Sequence, residues 1–211
     1  HDRKVLARSM FLVSDMNDRV YSYEINVATL NDVEALESIA FRTFPDACPH
    51  VSEKDQLAFM RDNLTSKHFA HYIQSDTADV FVARCLGEIV AYVLVDYNNK
   101  QNDDILPMLR HNEHRYVDGG PVAYLSKFYV DRPWRSSGVA YGLWCFIKTH
   151  IQEKIASRHS HVTMWLSTNA ANKRAQKAYK KMGFSKVGTR HFMVGDTDNL
   201  DYIYATVIDV E

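Results

Sequence analysis

The chain has 211 residues, 46% hydrophobic and 24% charged, which fits one soluble globular domain with a sizeable core. Its 25 Lys and Arg against 26 Asp and Glu leave a net charge of -1, which argues against an electrostatic footprint for nucleic acid. The longest apolar run, Ile89 to Val95, is far too short to span a bilayer, and Met10 to Val13 is too short for a signal h-region.

The cysteines, Cys48, Cys85 and Cys145, are scattered and odd in number. None forms a C-x-x-C pair, so neither a disulfide framework nor a zinc site is indicated, and no metal is expected. Free buried thiols fit a reducing, cytoplasmic setting.

In chain order, residues 1–20 are polar and mixed in charge, and read as a loosely held N-terminal arm. A single domain over 21–211 is expected after it. Tyr21 to Val27 alternates as a first strand. Thr29 or Asn31 can cap a helix carrying Val33, Leu36, Ile39, Ala40 and Phe41 on one face, with Phe44-Pro45 ending it. Ser52, with Asp55 three residues on, starts a second helix through Leu57, Met60 and Leu64. Asp79 to Cys85 and Glu88 to Asp96 read as strands joined by a hairpin at Leu86-Gly87. Tyr97 to Gly120 is poor in apolar residues and reads as a long loop with a short helix from Ile105 to Arg115.

Val122 to Val130 is the next strand, and Pro133 stops it. Arg135 to Ala140 then forms a turn of small residues before a long helix carrying Ala140, Leu143, Trp144, Ile147, Ile151 and Ile155. Strand, small-residue turn and helix start make a site for an anion. The first N–H groups of the helix lack partners there, and the helix dipole adds partial positive charge. Arg135 can add a charge-assisted bond. The P-loop pattern G-x-x-x-x-G-K-S/T and the dinucleotide pattern G-x-G-x-x-G are both absent. His161 to Ser167 follows as a strand parallel to 122–130. Asn172 to Met182 is a helix ended by Gly183. Lys186 to Val194 and Tyr202 to Val210 are the last strands, with Gly195 to Asn199 turning between them.

Arg135, Gly138 and Ala140 give R-x-x-G-x-A. This resembles the pyrophosphate-binding signature Q/R-x-x-G-x-G/A of the GNAT superfamily of acyl-CoA N-acyltransferases. Asn172, Ala175, Tyr179, Gly183 and Phe184 give N-x-x-A-x-x-x-Y-x-x-x-G-F, which resembles the second cofactor motif of that superfamily, one strand after the first. The resemblance covers roughly residues 21–210 and is strongest from 122 to 184. The stretch Phe192 to Asp196, with Asp201, looks like the ending of the bacterial subgroup that acetylates polyamines.

The resemblance implies an α/β (α+β) fold: a mixed, mostly antiparallel sheet of roughly seven strands, flanked by about four helices and splayed at the cofactor cleft. It also implies transfer of acetyl from acetyl-CoA to a primary amine of a small molecule, a polyamine among the candidates, by direct attack on the thioester. The expected partners are that amine and, as an admitted assembly, a second copy in a homodimer; neither nucleic acid nor membrane is among them. Coenzyme A should meet the backbone of Arg135, Ser136, Gly138, Val139 and Ala140 through its pyrophosphate, and Phe128 and Val130 through its pantetheine. Asn172 should bond the pantetheine. The resemblance makes Tyr179 the acid for the departing thiolate. Many relatives carry a glutamate on the strand matching 122–130. Here Tyr124, Ser126 and Lys127 hold the candidate positions, so no carboxylate base stands there, and a water chain, His71, His114 or His191 remain open. Asp96 and Asp131 read as turn residues. Two alternatives stay beside the small-molecule enzyme: a non-catalytic acyl-CoA-binding module of the same fold, and acetylation of a protein or peptide amine.

Overall fold

A computed structural model describes residues 9–14, 17–112 and 116–210. Eight strands form one sheet: β1 (Ser9–Ser14), β2 (Val20–Val27), β3 (Ala78–Cys85), β4 (Glu88–Asp96), β5 (Val122–Val130), β6 (His161–Asn169), β7 (Ser185–Val194) and β8 (Thr197–Asp209). Their order across the sheet is β1-β2-β3-β4-β5-β6-β8-β7. All neighbours run antiparallel except β5 and β6, which run parallel. Among the described residues six α-helices cover the sheet: α1 (Val33–Ala47), α2 (Glu53–Asn63), α3 (Ser66–Gln74), α4 (Gln101–Arg110), α5 (Val139–Ile155) and α6 (Lys173–Lys181). This is the mixed, mostly antiparallel architecture expected from the sequence.

Side chains alternate across each strand, and both faces are buried. Phe81, Ala83, Val93 and Leu125 pack against Val139, Leu143, Trp144 and Ile147 of α5. On the other face Val80, Val82, Tyr92 and Leu94 meet Leu36 and Ile39 of α1, Met60 of α2 and Phe69 of α3. Further along that face, Ile105 and Leu109 of α4 cover Tyr124, Trp165, Ile203 and Ala205.

The feature that positions the site is the failed pairing of β5 with β6. The two strands pair only at Val122–Thr163, Ala123–Met164 and Tyr124–Trp165. Against β4, Leu94 faces Lys127 and Val95 faces Leu125, so Ser126 is an extra residue in the ladder. A bulge of this kind bends its strand. Beyond Tyr124, β5 stays on β4 while β6 stays on β8, and a wedge opens between them.

Several expectations change. Residues 1–20 are not wholly a loose arm, because Ser9–Ser14 pairs with β2 and adds the eighth strand. Edge pairing uses backbone groups, which need no alternating side chains. Helix α1 runs through Phe44-Pro45 to Ala47; proline in the last turn removes a single bond, and Cys48 N–H closes onto Pro45 O at 3.3 Å. A third helix, α3, follows the second, its start bonded by Thr65 and His68 rather than by the usual Glu or Gln. Helix α4 occupies 101–110, starting four residues before the expected 105, with Asp103 and Asp104 in its first turn; 113–115 of the expected helix lie outside the described residues. The last hairpin turns at Gly195-Asp196, and β8 begins at Thr197 rather than Tyr202. The polar run Asp198 to Asp201 is therefore strand, held by pairings such as Phe192–Asn199 and Arg190–Asp201.

Candidate active site

A cleft of about 790 Å³ enters at the wedge. Its walls come from β5, the Trp134 to Ala140 turn, β6, α6, the ends of β7 and β8, and the α1–α3 layer.

The turn carries two residues in the left-handed region, Ser136 at φ 63° and Gly138 at φ 94°. This winding directs successive N–H groups outward at the start of α5. Ser137 N–H donates to Trp134 O at 3.3 Å, and Val139 N–H makes a long contact of 3.4 Å with Ser137 Oγ. The N–H groups of Gly138, Ala140 and Tyr141 have no acceptor among the described residues. That is a nest for an anion at the start of a 17-residue helix.

Ser136, Gly138 and Ala140 line the cleft; Val139 does not. Its side chain is 1% exposed, in the core on the same stripe as Leu143 and Ile147, so only its backbone is at the turn. Arg135 lines the cleft, but its guanidinium is engaged. Nε donates to Val130 O at 3.1 Å and Nη2 to Asp46 Oδ2 at 2.6 Å. Asp46 also accepts from Arg132 Nε at 2.9 Å. Arg132 first, then Arg135, hold the Asp46 carboxyl far below the usual carboxylate range. Arg135 thus ties the turn to the end of α1, and the guanidinium left over at this end of the cleft is that of Arg174 on α6. Burial, then the nearby Arg135, lower the pKa of Arg174. Nothing in the two motifs singles out Arg174; only its place in the first turn of α6 does.

Phe128 and Val130 stand on the unpaired side of β5 and line the cleft. Half of the backbone groups there are bonded to β4, and the alternate half faces the wedge, as an edge open to an added strand. Asn172 caps α6, its Oδ1 accepting from Ala175 N–H at 3.1 Å. That bond is the helix-capping role, and it leaves the amide NH2 at the cleft wall. Two turns on, Tyr179 lies half-buried against Phe128, Phe184 and Tyr204, with ring centroids at 6.3, 6.1 and 6.5 Å. Burial pushes the Tyr179 hydroxyl well up, so it carries its proton at neutral pH.

The other face of the wedge has different chemistry. Tyr124 stacks on Trp165 with centroids 3.9 Å apart. Lys127 is half-buried, and burial lowers its ammonium to about 8. His71 and His191 are exposed and off the cleft, and His191 pairs with Asp198 at 2.9 Å. His114 lies outside the described residues. Asp96 and Asp131 are turn residues, accepting from Asn98 N–H and Arg132 N–H, each at 3.0 Å.

No carboxylate stands on β5, but one at the cleft stands on β8. Asp201 is 6% exposed, lines the cleft, and accepts from Ser167 Oγ of β6 at 2.6 Å. Burial raises its pKa, against the opposing pull of Ser167, Arg190 and His50. Sequence reading places Asp201 only within the chain's final motif, because it begins the last strand one residue later. The available signal is the alternation Asn199, Asp201, Ile203, Ala205, which puts all four on one face.

Residues 33–184 match the profile of the Acetyltransferase (GNAT) family. An uncharacterized N-acetyltransferase of Mycobacterium bovis is 31% identical over 175 residues, covering 82% of this chain and 96% of that protein. Among solved structures, the PaiA N-acetyltransferase of Thermoplasma acidophilum in complex with coenzyme A superposes with a TM-score of 0.65 at 14% identity, over 87% of this chain and 98% of that one. Arabidopsis thaliana NAA60 in complex with a bisubstrate analogue gives 0.62 at 20%, over 90% and 99%. At these identities the two structures speak for the fold alone.

Proposed function

Because the chain belongs to the GNAT acetyltransferase family, we propose that it moves the acetyl group of acetyl-CoA to a primary amine of a small molecule by direct attack on the thioester. The observation that carries this reading is a single cleft joining an anion nest, an unpaired strand edge and a protonated tyrosine on one face with a buried carboxylate on the other.

The nest of Gly138, Ala140 and Tyr141 N–H groups takes the pyrophosphate, with Arg174 adding charge. The open edge of β5 near Phe128 and Val130 takes the pantetheine amides as a further strand would. An N–H on that edge polarises the thioester carbonyl. The free NH2 of Asn172 is placed for the same arm. Tyr179 delivers a proton to the departing thiolate, and its raised pKa keeps that proton in place until then. Asp201 accepts the proton lost by the attacking amine, directly or through the Ser167 hydroxyl. Its raised pKa makes it a stronger base than an ordinary aspartate while leaving it ionised above that pKa.

The test is thiol release from acetyl-CoA over a panel of amines and peptides, with calorimetric titration of coenzyme A in parallel. Turnover of a small amine supports the proposal. Tight binding with no turnover of any amine makes the chain a binding module, and turnover of peptides alone makes the acceptor a protein.

A further inference from the structure

The acceptor face of the cleft holds more positive charge than an amine site needs. Lys127 is on the α1–α3 face of β5, since its pairing partner Leu94 packs there. Its Nζ has one polar neighbour, Ser126 Oγ at 3.5 Å, and sits 5.6 Å from the Tyr72 ring centroid. No carboxylate forms an ion pair with it among the described residues. Arg190 of β7 is the cross-strand neighbour of Asp201 and so shares its face. It lies beside the Tyr124 hydroxyl. Besides this Tyr124 contact, its hydrogen bond among the described residues runs from Nη1 to Gln101 Oε1 at 2.5 Å. Nε and Nη2 are buried in the cleft wall with no hydrogen-bond partner among the described residues, and the guanidinium carbon lies above Trp165 and Phe192 at 5.2 and 5.6 Å.

Buried guanidinium N–H groups without acceptors are costly, and native proteins rarely leave them so. Asp201 is a counter-charge beside Arg190, but no hydrogen bond joins the two among the described residues, and its Oδ2 takes the Ser167 hydroxyl. A polyamine entering here would meet two cations and would give neither Lys127 nor the open edge of Arg190 a hydrogen-bond acceptor. A carboxylate would pair with both, and the Nε–Nη2 edge of a guanidinium matches its two oxygens. The depressed Lys127 pKa reports the same lack of a counter-charge, burial outweighing distant Asp96.

We infer that the amine acceptor carries a carboxylate, held by Lys127 and Arg190 while its amino end enters beside Asp201. The acceptor class is then an amino acid or a similar amino carboxylate. This deepens the proposed transferase function and rests on it.

Matched pairs differing by the carboxylate test it: lysine against cadaverine, ornithine against putrescine, and phenylalanine against phenethylamine. In the wild-type protein, at least one carboxylate member should have a kcat/KM tenfold or more above its partner. Lys127→Gln and Arg190→Gln should each cost that member at least tenfold more than they cost its decarboxylated partner, mostly in KM. Arg190→Lys should recover part of the loss, and thermal unfolding identifies any variant that fails to fold. A second readout needs no chemistry: titration of the coenzyme A-saturated protein with the carboxylate members. If no amine turns over but carboxylate binding falls in both variants, the transferase reading fails, while the carboxylate site of Lys127 and Arg190 stands as a binding site. Equal or better turnover of cadaverine, putrescine or spermidine overturns it. So does an equal loss on both members of a pair in Lys127→Gln, which would make Lys127 a proton acceptor, and so does the absence of any carboxylate binding.

Discussion

Gly138 offers a perturbation in which backbone strain and charge can be separated. Its φ of 94° is one that L side chains rarely adopt, and a Cβ built there meets nothing within 4 Å. Gly138→Ala therefore adds strain without a clash, at a cost to stability of about 1–2 kcal/mol. Gly138→Glu adds the same strain and a carboxylate at the nest. At ~6 Å from a phosphate charge and an effective dielectric of ~20, repulsion is about 3 kcal/mol per charge pair. Side-chain freedom and screening reduce this, so a loss of at least tenfold in coenzyme A affinity, about 1.4 kcal/mol, is the working expectation.

The two variants should unfold at similar denaturant concentrations. In calorimetric titration Gly138→Glu should bind coenzyme A at least tenfold more weakly than Gly138→Ala. The difference should shrink in high salt, because the screening length falls from about 10 Å at 0.1 M to about 3 Å at 1 M. Equal coenzyme A affinity of the Gly138→Ala and Gly138→Glu proteins would refute the placement of the pyrophosphate at this turn.

Three further outcomes are expected. Tyr179→Phe should lower kcat by roughly ten- to a thousandfold with little change in the KM for acetyl-CoA, since proton donation matters only in the transition state; thiol release against pH checks this. Asp201→Asn should lower turnover yet raise thermal stability at neutral pH. The folded pKa of Asp201 lies above its unfolded value, so ionisation costs stability as pH rises through that window, and the asparagine variant should lack this part of the pH dependence. Asp46→Asn leaves Arg135, itself 18% exposed, without its partner, and should cost roughly 2 kcal/mol at pH 7. The Asp46 pKa is depressed in the fold, so this contribution is present above an unfolded pKa of about 3.9 and lost as pH falls, and urea midpoints of the two proteins should converge in acid.

What was legible in the sequence is what local pattern controls. The apolar stripe Leu143, Trp144, Ile147 and Ile151 specifies α5, Leu86-Gly87 specifies a hairpin, and Gly183 at φ 95° ends α6. Local pattern fails where distant contacts decide. Pro45 sits inside α1 because the loss of one bond in a last turn is small beside the burial of Phe44 and Leu36. Gly195 to Asn199 reads as turn and Asp201 falls just short of the last strand, yet pairing with both β6 and β7 keeps Asp201 in a strand. Arg135 is legible as a basic residue at an anion turn, but its engagement by Asp46, 89 residues away in sequence, is not. The Ser126 bulge that opens the wedge has no sequence mark of its own.

The bulge also explains how one sheet serves two chemistries. Tyr179 packs with the α5 layer, alongside Leu125, Leu166 and Tyr204. Ser167 and Asp201 alternate with those residues along β6 and β8, so they stand on the opposite face with Trp165 and Ile203. In a closed sheet, acid and base so placed could not reach one bond. Between β5 and β6 the ladder stops at Tyr124–Trp165, and from there a thin substrate can pass between the strands. On the proposed mechanism, a thioester lying in that wedge presents its sulfur toward Tyr179 and its carbonyl carbon toward the face of Asp201. An amine approaching from the α1–α3 side then attacks as the thiolate leaves on the other, and each proton moves on its own side of the sheet. On the same proposal this division keeps the cations apart: Arg174 serves the phosphate end, and Lys127 and Arg190, which line the same cleft, remain for the acceptor.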